Sequence, residues 1–166
     1  SIAAGLTLSD LKHLADSENQ PIIRVMPNIN AQIGQSTSAI VKNEFVDDSA
    51  YATVQEIFKS TGSVHEIAEK DFSTFAAIAG SSPAFIYMFI DAMARAGVLH
   101  GIPKDQATAI VAETVRASAE MILQSGENPW SLVDKVSSPG GTTVAGVVSL
   151  EQNHFIGTVI DAISAT

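Results

Sequence analysis

The sequence contains no cysteine, few charged residues and few aromatic residues. Of its 166 residues, 16% are Asp, Glu, Lys or Arg, and 6% are Phe, Trp or Tyr. The absence of cysteine excludes disulfide bonds and thiolate metal ligands, and it is typical of a reducing compartment such as the cytoplasm. Because hydrophobic residues make up 46%, the composition is that of a globular chain, and its low charge predicts extensive buried surface.

Positive charge is scarce and never clusters. Nine Lys and Arg stand against 18 Asp and Glu, which gives a formal net charge of −9. A nucleic-acid-binding surface needs basic patches, often with aromatic residues between them, so no nucleic-acid partner is expected. No uninterrupted apolar run reaches the roughly 18 residues of a membrane span, so no membrane partner is expected either.

Several well-known catalytic patterns are also missing. The four histidines are dispersed without metal-ligand spacing, which predicts that the chain holds no metal. No G-x-G-x-x-G occurs, so the usual dinucleotide fingerprint is absent, and no Ser-His-Asp or Cys-His arrangement is suggested. The first residues, "SIAAG", indicate the end of a buried strand, so we expect the chain to be a fragment of a longer protein.

Residues 1–67 have a mixed α/β pattern. A short helix over "TLSDLKHLA" precedes strands at Pro21–Met26, Ser36–Lys42 and Ser63–Ile67. A further helix is predicted between the last two strands. It is capped by Asp47 or Asp48, presents Val54, Ile57 and Phe58 as its apolar face, and is stopped by Gly62.

Residues 68–166 predict one helix after another, so the fold class is mainly α. The stretch from Asp71 to Gly101 is apolar on nearly all faces, and Pro83 predicts a kink near residues 80–83. Pro103 and Pro129 begin further helices, Gly126 ends one of them, and two more helices close the chain. So little charge on so many helices predicts an intertwined dimer core. One helix carries an apolar stripe of Ala107, Ile110, Val111, Thr114, Val115, Ser118 and Ile122.

The most informative stretch is "VSSPGGTTVAG", Val136 to Gly146, between two helical patterns. Glycines let backbone amides approach a ligand closely, and the start of a helix carries unpaired amides and partial positive charge. The four hydroxyls add further donors, so the pattern suits a small carboxylate. The alternative is a plain helix–helix turn with Thr142 as N-cap.

Three other segments carry both a functional and a structural interpretation. "IAGSSPAF" (Ile78 to Phe85) predicts either ligand contact or close helix packing at a kink. "RVMPN" (Arg24 to Asn28) predicts either a ligand-binding strand end or an ordinary turn. Glu66 and Glu69 have the spacing of a carboxylate pair, although exposed carboxylates at a strand–helix junction are the ordinary case.

Taken together, "RVMPN", "GSSPAF", "MFIDAMARAGVLHGIP" and "VSSPGGTTVAG…LE" resemble, in this order and spacing, the pyrroline-5-carboxylate reductase family. The resemblance covers essentially the whole chain. It implies a C-terminal all-helical dimerisation domain, residues 68–166, preceded by the last α/β elements of a truncated Rossmann domain, residues 1–67. It further implies reduction of 1-pyrroline-5-carboxylate to L-proline by NADPH or NADH in proline biosynthesis. A cytoplasmic homodimer is implied, with higher oligomers left open.

The resemblance also implies roles for individual residues. Cofactor contacts fall on Ile2, Ala3, Ala4, Met26, Pro27 and Asn28, and the substrate contacts on Glu69, Ser138, Gly140, Gly141, Thr142 and Thr143. The Thr143 hydroxyl would face the ring nitrogen as the catalytic group, positioning it while water supplies the proton. The chain departs from the family pattern at Ile29 and Asn30, where "TP" is usual, and at Ala79 and Ser82, where a serine and a glycine are usual.

Two alternatives to an enzyme of this family are considered. One is a non-catalytic dimerisation module, since the chain lacks the Gly-rich half of the cofactor site and is expected to be inactive alone. The other is the helical domain of a related Rossmann-type dehydrogenase, such as a β-hydroxyacid dehydrogenase. That family carries a catalytic lysine, and no lysine here, Lys104 and Lys135 included, lies in a matching motif.

Overall fold

The structure, a computed structural model, describes residues 1–166. The chain divides into two compact units, Ser1–Pro83 together with Thr166, and Ala84–Ala165. The mainly helical class is confirmed, since eight α-helices accompany one small sheet of three strands. The domain boundary between residues 67 and 68 stays a prediction.

The first unit is built on the sheet, whose strand order is β1-β2-β3. Strand β1 (Ile23–Met26) pairs antiparallel with β2 (Ser36–Lys42), and β2 pairs parallel with β3 (Gly62–Glu66). The predicted bounds of β2 are confirmed at both ends, and those of β1 and β3 to within two residues. Helices α1 (Leu8–Leu14) and α2 (Asp48–Lys59) flank the strands in sequence, and short 3-10 turns occupy Ile29–Ile33 and Glu69–Asp71.

Two apolar clusters cover the sheet. Val25, Ile40, Val46 and Tyr51 form one, with Val54 and Phe58 of α2 packed against it, and Ala39, Phe72 and Phe75 form the other. Asp47 caps α2 as predicted, because its side chain accepts the Ala50 amide at 2.7 Å. The predictions for Ile57 and Gly62 are wrong. Ile57 is 57% exposed, and α2 ends at Lys59, so that Gly62 begins β3 instead of stopping the helix.

The structure of residues 1–5 shows that another prediction is wrong. These residues form no strand and are exposed, so "SIAAG" is not the end of a buried strand within this structure. Ser1 nevertheless continues the hydrogen bonding of β1. Its nitrogen donates to the Ile23 carbonyl at 2.7 Å, and its carbonyl accepts the Val25 amide at 2.8 Å. The segment is therefore anchored to the edge of β1 at its first residue and then leaves the sheet.

The predicted break near residues 80–83 takes the form of a π-helical turn. Helix α3 (Phe72–Phe75) continues through the π-turn Ala76–Ser81 into α4 (Ser82–Leu99). Pro83 has no N–H to offer the carbonyl of Ala79, four residues earlier. That carbonyl instead accepts the Asn28 side-chain amide at 3.0 Å, and the Ser82 hydroxyl donates to the Ile78 carbonyl.

The second unit consists of helices. After α4 come α5 (Lys104–Ser125), α6 (Pro129–Val136), α7 (Thr142–Gln152) and α8 (Phe155–Ser164). The predicted signals at Pro129 and Gly126 are confirmed, whereas Pro103 is the N-cap residue just before α5. Pro129 occupies the first position of α6, behind an Asn128 side chain that accepts the Trp130 amide at 2.9 Å, and Gly126 ends α5 at φ 65°.

Much apolar surface of the second unit is exposed in the single chain. Of the apolar stripe predicted on α5, only Ala107 and Val111 are buried, and Ile110 is 47% exposed, so the stripe as a whole is not covered. The helical segment Glu69–Leu99 is long and apolar enough to cross a membrane by length and composition, since an 18-residue stretch within it has a mean hydropathy of 1.4. A single helix of this kind is weak evidence, because core helices of soluble proteins pass the same test.

Tyr51 makes the stability of the first unit sensitive to alkaline pH. Its hydroxyl is buried without a hydrogen-bond partner, and burial together with the nearby Glu66 charge raises the pKa of Tyr51 to about 12. The folded chain therefore favours the neutral phenol. The stability that comes from keeping this phenol neutral is fully present below the ordinary tyrosine pKa of about 10, and it is lost as pH rises through about 12. We expect the free energy of unfolding to fall by about 1–3 kcal/mol over that interval.

The Tyr51→Phe variant tests this expectation by denaturant unfolding between pH 7 and 12. It removes the buried unpaired hydroxyl, so at pH 7 it should be unchanged or more stable by up to about 1 kcal/mol. At higher pH the free energy of unfolding of this variant should not show the decline seen in the wild type. The matched control is Tyr87→Phe, at a tyrosine that is 56% exposed, and it should keep the decline. An equally steep decline in Tyr51→Phe would contradict the assignment.

Candidate functional site

The loop between α6 and α7 leaves the start of α7 without a side-chain cap. Gly141 is the N-cap residue, and no side chain accepts a hydrogen bond from the first amides of the helix. The interpretation of Thr142 as N-cap is therefore wrong, because Thr142 is already the first helical residue. The first amides of α7, on Thr142 and Thr143, remain available, and both residues are exposed.

Gly140 and Gly141 shape this loop in different ways. Gly140 has φ 72°, a left-handed conformation that side chains disfavour. Gly141 has ordinary torsion angles, but its surroundings leave no space for a side chain. A Cβ on Gly141 would lie 2.5 Å from the Ser138 hydroxyl oxygen and 3.0 Å from the Ser138 carbonyl oxygen. The Gly141 amide donates to that carbonyl at 2.9 Å, which closes a tight turn with the Ser138 hydroxyl against the helix start.

The charges around the loop favour a small anion over a polyphosphate. The nearest cationic side chain in the sequence is Lys135, and its ammonium group is paired with both Glu127 carboxylate oxygens at 2.5 and 2.7 Å. The remaining attraction for an anion comes from the helix amides, the helix dipole and neutral hydroxyls. The Ser137 hydroxyl is buried and has no hydrogen-bond partner, so it offers no hydrogen-bond donor at the surface of the loop.

Asn28, predicted to contact cofactor, has a side chain that is already engaged within the first unit. Its Oδ1 accepts the amides of Asn30 at 3.2 Å and Thr37 at 3.3 Å, and its Nδ2 donates to the Ala79 carbonyl. Its own amide donates to the Ser36 hydroxyl at 3.2 Å. The side chain thus ties the end of β1 to β2 and to the π-turn, and cofactor contact by Asn28 stays a prediction.

The other residues predicted to contact cofactor lie in the same unit. Ile2 is 63% exposed, and Ala3 and Ala4 follow it in the exposed segment after Ser1. Met26 and Pro27 are half-buried at the end of β1, where Met26 packs against the cluster of Phe72 and Phe75. The structure therefore presents backbone and apolar surface at both places, and cofactor contact there also stays a prediction.

Glu69, predicted to lie near substrate, is likewise engaged. Its Oε1 accepts the amide of Leu8 at 2.5 Å and the Arg24 guanidinium at 3.2 Å. Sequence reasoning did not single out Arg24, which is only 8% exposed. The available signal was a lone arginine within the apolar strand "PIIRVM", because a buried guanidinium requires a carboxylate or aromatic partner elsewhere in the chain.

Residues 69–166 match the family model described as pyrroline-5-carboxylate reductase dimerisation. Among curated proteins, the pyrroline-5-carboxylate reductase of Aquifex aeolicus is 40% identical over 166 residues, which cover 100% of this chain and 62% of that protein. The Escherichia coli (strain K12) reductase is 42% identical over 164 residues, 99% of this chain and 61% of that protein. The chain thus spans about three fifths of the length of these relatives.

Solved structures agree with these matches. The 1-pyrroline-5-carboxylate reductase of Streptococcus pyogenes superimposes with a TM-score of 0.93 at 46% identity, covering 99% of this chain and 63% of that one. A Plasmodium falciparum pyrroline carboxylate reductase with NADP bound gives a TM-score of 0.92 at 36% identity, covering 99% and 66%. The similarity extends through both units of the chain.

Proposed function

Because the chain belongs to the pyrroline-5-carboxylate reductase dimerisation family, we propose that it is part of an enzyme that reduces 1-pyrroline-5-carboxylate to L-proline. The observation that carries the proposal is the uncapped start of α7 behind "SSPGGTT", which lies within the family match. The alternative of a β-hydroxyacid dehydrogenase has no comparable support, since the matched relatives carry the reductase name. The alternative of a dimerisation module without activity concerns this chain alone, which lacks the Gly-rich fingerprint.

The substrate carboxylate is proposed to bind at the start of α7. The amides of Thr142 and Thr143 donate to it, the Ser138 hydroxyl adds a third donor, and Gly140 and Gly141 keep the approach clear. The positive end of the helix dipole stabilises the charge. A neutral cradle of this kind holds a small carboxylate without a lysine or arginine, which agrees with the pairing of Lys135 to Glu127.

Thr143 is proposed to position the imine nitrogen of the substrate through its hydroxyl. In the reaction the imine carbon accepts a hydride, the C=N electron pair moves to nitrogen, and nitrogen takes a proton. A threonine hydroxyl is a weak acid, so it orients the nitrogen by a hydrogen bond while water is the ultimate proton source. Bound NADPH or NADH would supply the hydride.

The first unit is proposed to hold the nicotinamide end of that cofactor with Ile2, Ala3 and Ala4 and with Met26 and Pro27. The exposed backbone after Ser1 and the half-buried apolar surface at the end of β1 suit a flat ring with an amide substituent. The relative from Plasmodium falciparum was solved with NADP bound, which supports a nicotinamide cofactor for the family.

The Thr143→Ala variant of the full-length protein tests the assignment through steady-state turnover of 1-pyrroline-5-carboxylate with NADPH or NADH. We expect kcat/KM to fall about tenfold or more, because one hydrogen bond to the reacting centre is lost. Thr143→Ser keeps the hydroxyl and should retain most of the activity, whereas Thr143→Val should behave like the alanine variant. Unchanged efficiency in Thr143→Ala would contradict the role of Thr143, and an inactive wild type would contradict the proposed reaction.

The exposed apolar helices are proposed to be covered by a second copy of the chain. The family model is named for dimerisation, and the second unit leaves large side chains such as Tyr87 and Met88 mostly exposed. Covering them stabilises the pair by the hydrophobic effect. We therefore propose a cytoplasmic homodimer, in which the apolar segment Glu69–Leu99 contributes to subunit contact and not to a membrane.

A further inference from the structure

Glu69, in the segment after β3, makes a hydrogen bond to the start of α1 and a partly buried ion pair with Arg24 of β1. Glu69 lies 61 residues from Leu8 in sequence, yet its Oε1 accepts the Leu8 amide at 2.5 Å. The same oxygen accepts the Arg24 Nη1 at 3.2 Å. The Arg24 side chain is 10% exposed and that of Glu69 30%, so solvent screens this pair less than a surface ion pair.

Arg24 is held in place by a second contact. Its guanidinium carbon lies 4.3 Å from the centroid of the Phe72 ring, and Phe72 is only 2% exposed. A guanidinium stacked on a buried ring keeps a fixed orientation. The Arg24 side chain is therefore fixed between β1 and the Phe72 ring, with its Nη1 directed at Glu69. This fixed guanidinium determines where the Glu69 carboxylate lies.

Helix α1 does not need Glu69 in order to begin. The Thr7 hydroxyl caps the Asp10 amide at 3.1 Å, and the Asp10 carboxylate accepts the Thr7 amide at 2.8 Å, which completes a capping box. The bond from Leu8 to Glu69 is additional to this local cap. Its effect is to determine where the helix start lies relative to β1, not whether the helix forms.

The segment of residues 2–7 is consequently held at both of its ends. Ser1 is hydrogen-bonded to β1 on one side, and Leu8 is hydrogen-bonded to Glu69 on the other. Between them Ile2, Ala3 and Ala4 are exposed, and Gly5 turns the chain at φ 80°. Of these residues only Ala3 is tied by a side chain, through its amide to the Ser1 hydroxyl at 3.2 Å.

We propose that Arg24 and Glu69 are positioning residues that hold the segment Ile2–Gly5 in place to receive the nicotinamide end of the cofactor. This rests on the proposed function, in which Ile2, Ala3 and Ala4 contact NADPH or NADH. It assigns Glu69 a role different from the substrate contact that the family resemblance implied. Arg24 and Glu69 act through the segment and touch neither cofactor nor substrate.

The first experiment follows amide hydrogen exchange in the full-length protein without cofactor. In Glu69→Ala, the Leu8 amide should exchange about tenfold faster or more, while the Asp10 amide, capped by Thr7, should be unaffected. The matched control is Asp71→Asn, an exposed carboxylate two residues further along, which should leave both amides as in the wild type. Unchanged exchange at Leu8 in Glu69→Ala would overturn the proposal.

The second experiment measures equilibrium binding of NADPH to the full-length protein and the KM for 1-pyrroline-5-carboxylate. Glu69→Ala should raise the NADPH Kd about tenfold, with the KM for 1-pyrroline-5-carboxylate changed less than about twofold. Glu69→Gln keeps an acceptor for Leu8 but loses the charge facing Arg24, so it should be intermediate. Arg24→Lys keeps the charge and loses the planar stacking, so it should also be intermediate.

The outcomes separate this proposal from the proposed function. A raised KM for 1-pyrroline-5-carboxylate with unchanged NADPH binding would overturn it in favour of substrate contact by Glu69, and unchanged values for both would also overturn it. A wild type that binds NADPH without reducing 1-pyrroline-5-carboxylate would contradict the reaction alone. If Glu69→Ala does not fold, Glu69→Gln and Arg24→Lys provide the same comparison.

Discussion

On the proposed function, Gly141→Ala is expected to reduce kcat/KM for 1-pyrroline-5-carboxylate about 100-fold in the full-length protein. The added methyl group would lie 2.5 Å from the Ser138 hydroxyl oxygen and 3.0 Å from the Ser138 carbonyl oxygen. The hydroxyl can rotate away, but it then leaves the place from which it is proposed to bind the carboxylate. The carbonyl is backbone, so relieving that contact displaces the turn itself. Steady-state kinetics with both substrates checks this expectation.

The matched control for this prediction is Gly146→Ala in the same helix. Gly146 lies in the middle of α7, and a Cβ there meets nothing within 4 Å. Alanine in a helix interior is favoured over glycine by roughly 0.5–1 kcal/mol, so this variant should be at least as stable as the wild type and keep its activity. Equal activity of the two variants would show that the turn around Gly141 does not determine substrate binding.

Asn28→Asp is expected to lower the free energy of unfolding by about 2–4 kcal/mol. The substitution keeps the size of the side chain and the acceptor for the Asn30 and Thr37 amides. It replaces the Nδ2 donor by an oxygen that faces the Ala79 carbonyl, 3.0 Å away in the wild type. That carbonyl has no N–H from Pro83 to replace the lost donor, so it stays unpaired. Denaturant unfolding at neutral pH measures the change.

Asn30→Asp is the control for this variant. Asn30 is two residues away and is also half-buried, but its contact with Asn28 is made by its backbone amide, which the substitution retains. Its stability should stay within about 0.5 kcal/mol of the wild type. A loss in Asn28→Asp no larger than in Asn30→Asp would refute the structural role given to the Asn28 side chain.

Local signals in the sequence were sufficient for several helix ends. Asp47 before α2, Pro129 in α6 and Gly126 after α5 each act on backbone groups within a few residues, so their effects can be predicted without knowledge of the fold. In "SSPGGTT" the glycines and hydroxyls indicated a tight loop at a helix start, which the structure shows, and the anion site there stays a prediction. The structure corrected the identity of the N-cap, which is Gly141 and not Thr142, and removed the buried Ser137 hydroxyl from the expected donors.

The tertiary structure alone decided which side chains are paired and which faces are covered. Asn28 meets Ala79, and Glu69 meets Leu8, across 51 and 61 residues, and no local pattern specifies such distant partners. The apolar face of α2 packs Val54 and Phe58, both partly buried, against the core but leaves Ile57 exposed, because burial depends on the neighbour that a face meets. The sequence by itself thus determined the elements and the position of the loop before α7, through contacts within one turn of the chain. The pairing of Arg24 with Glu69 depends on the tertiary fold, because only the folded chain brings β1 and the segment after β3 close to the start of α1.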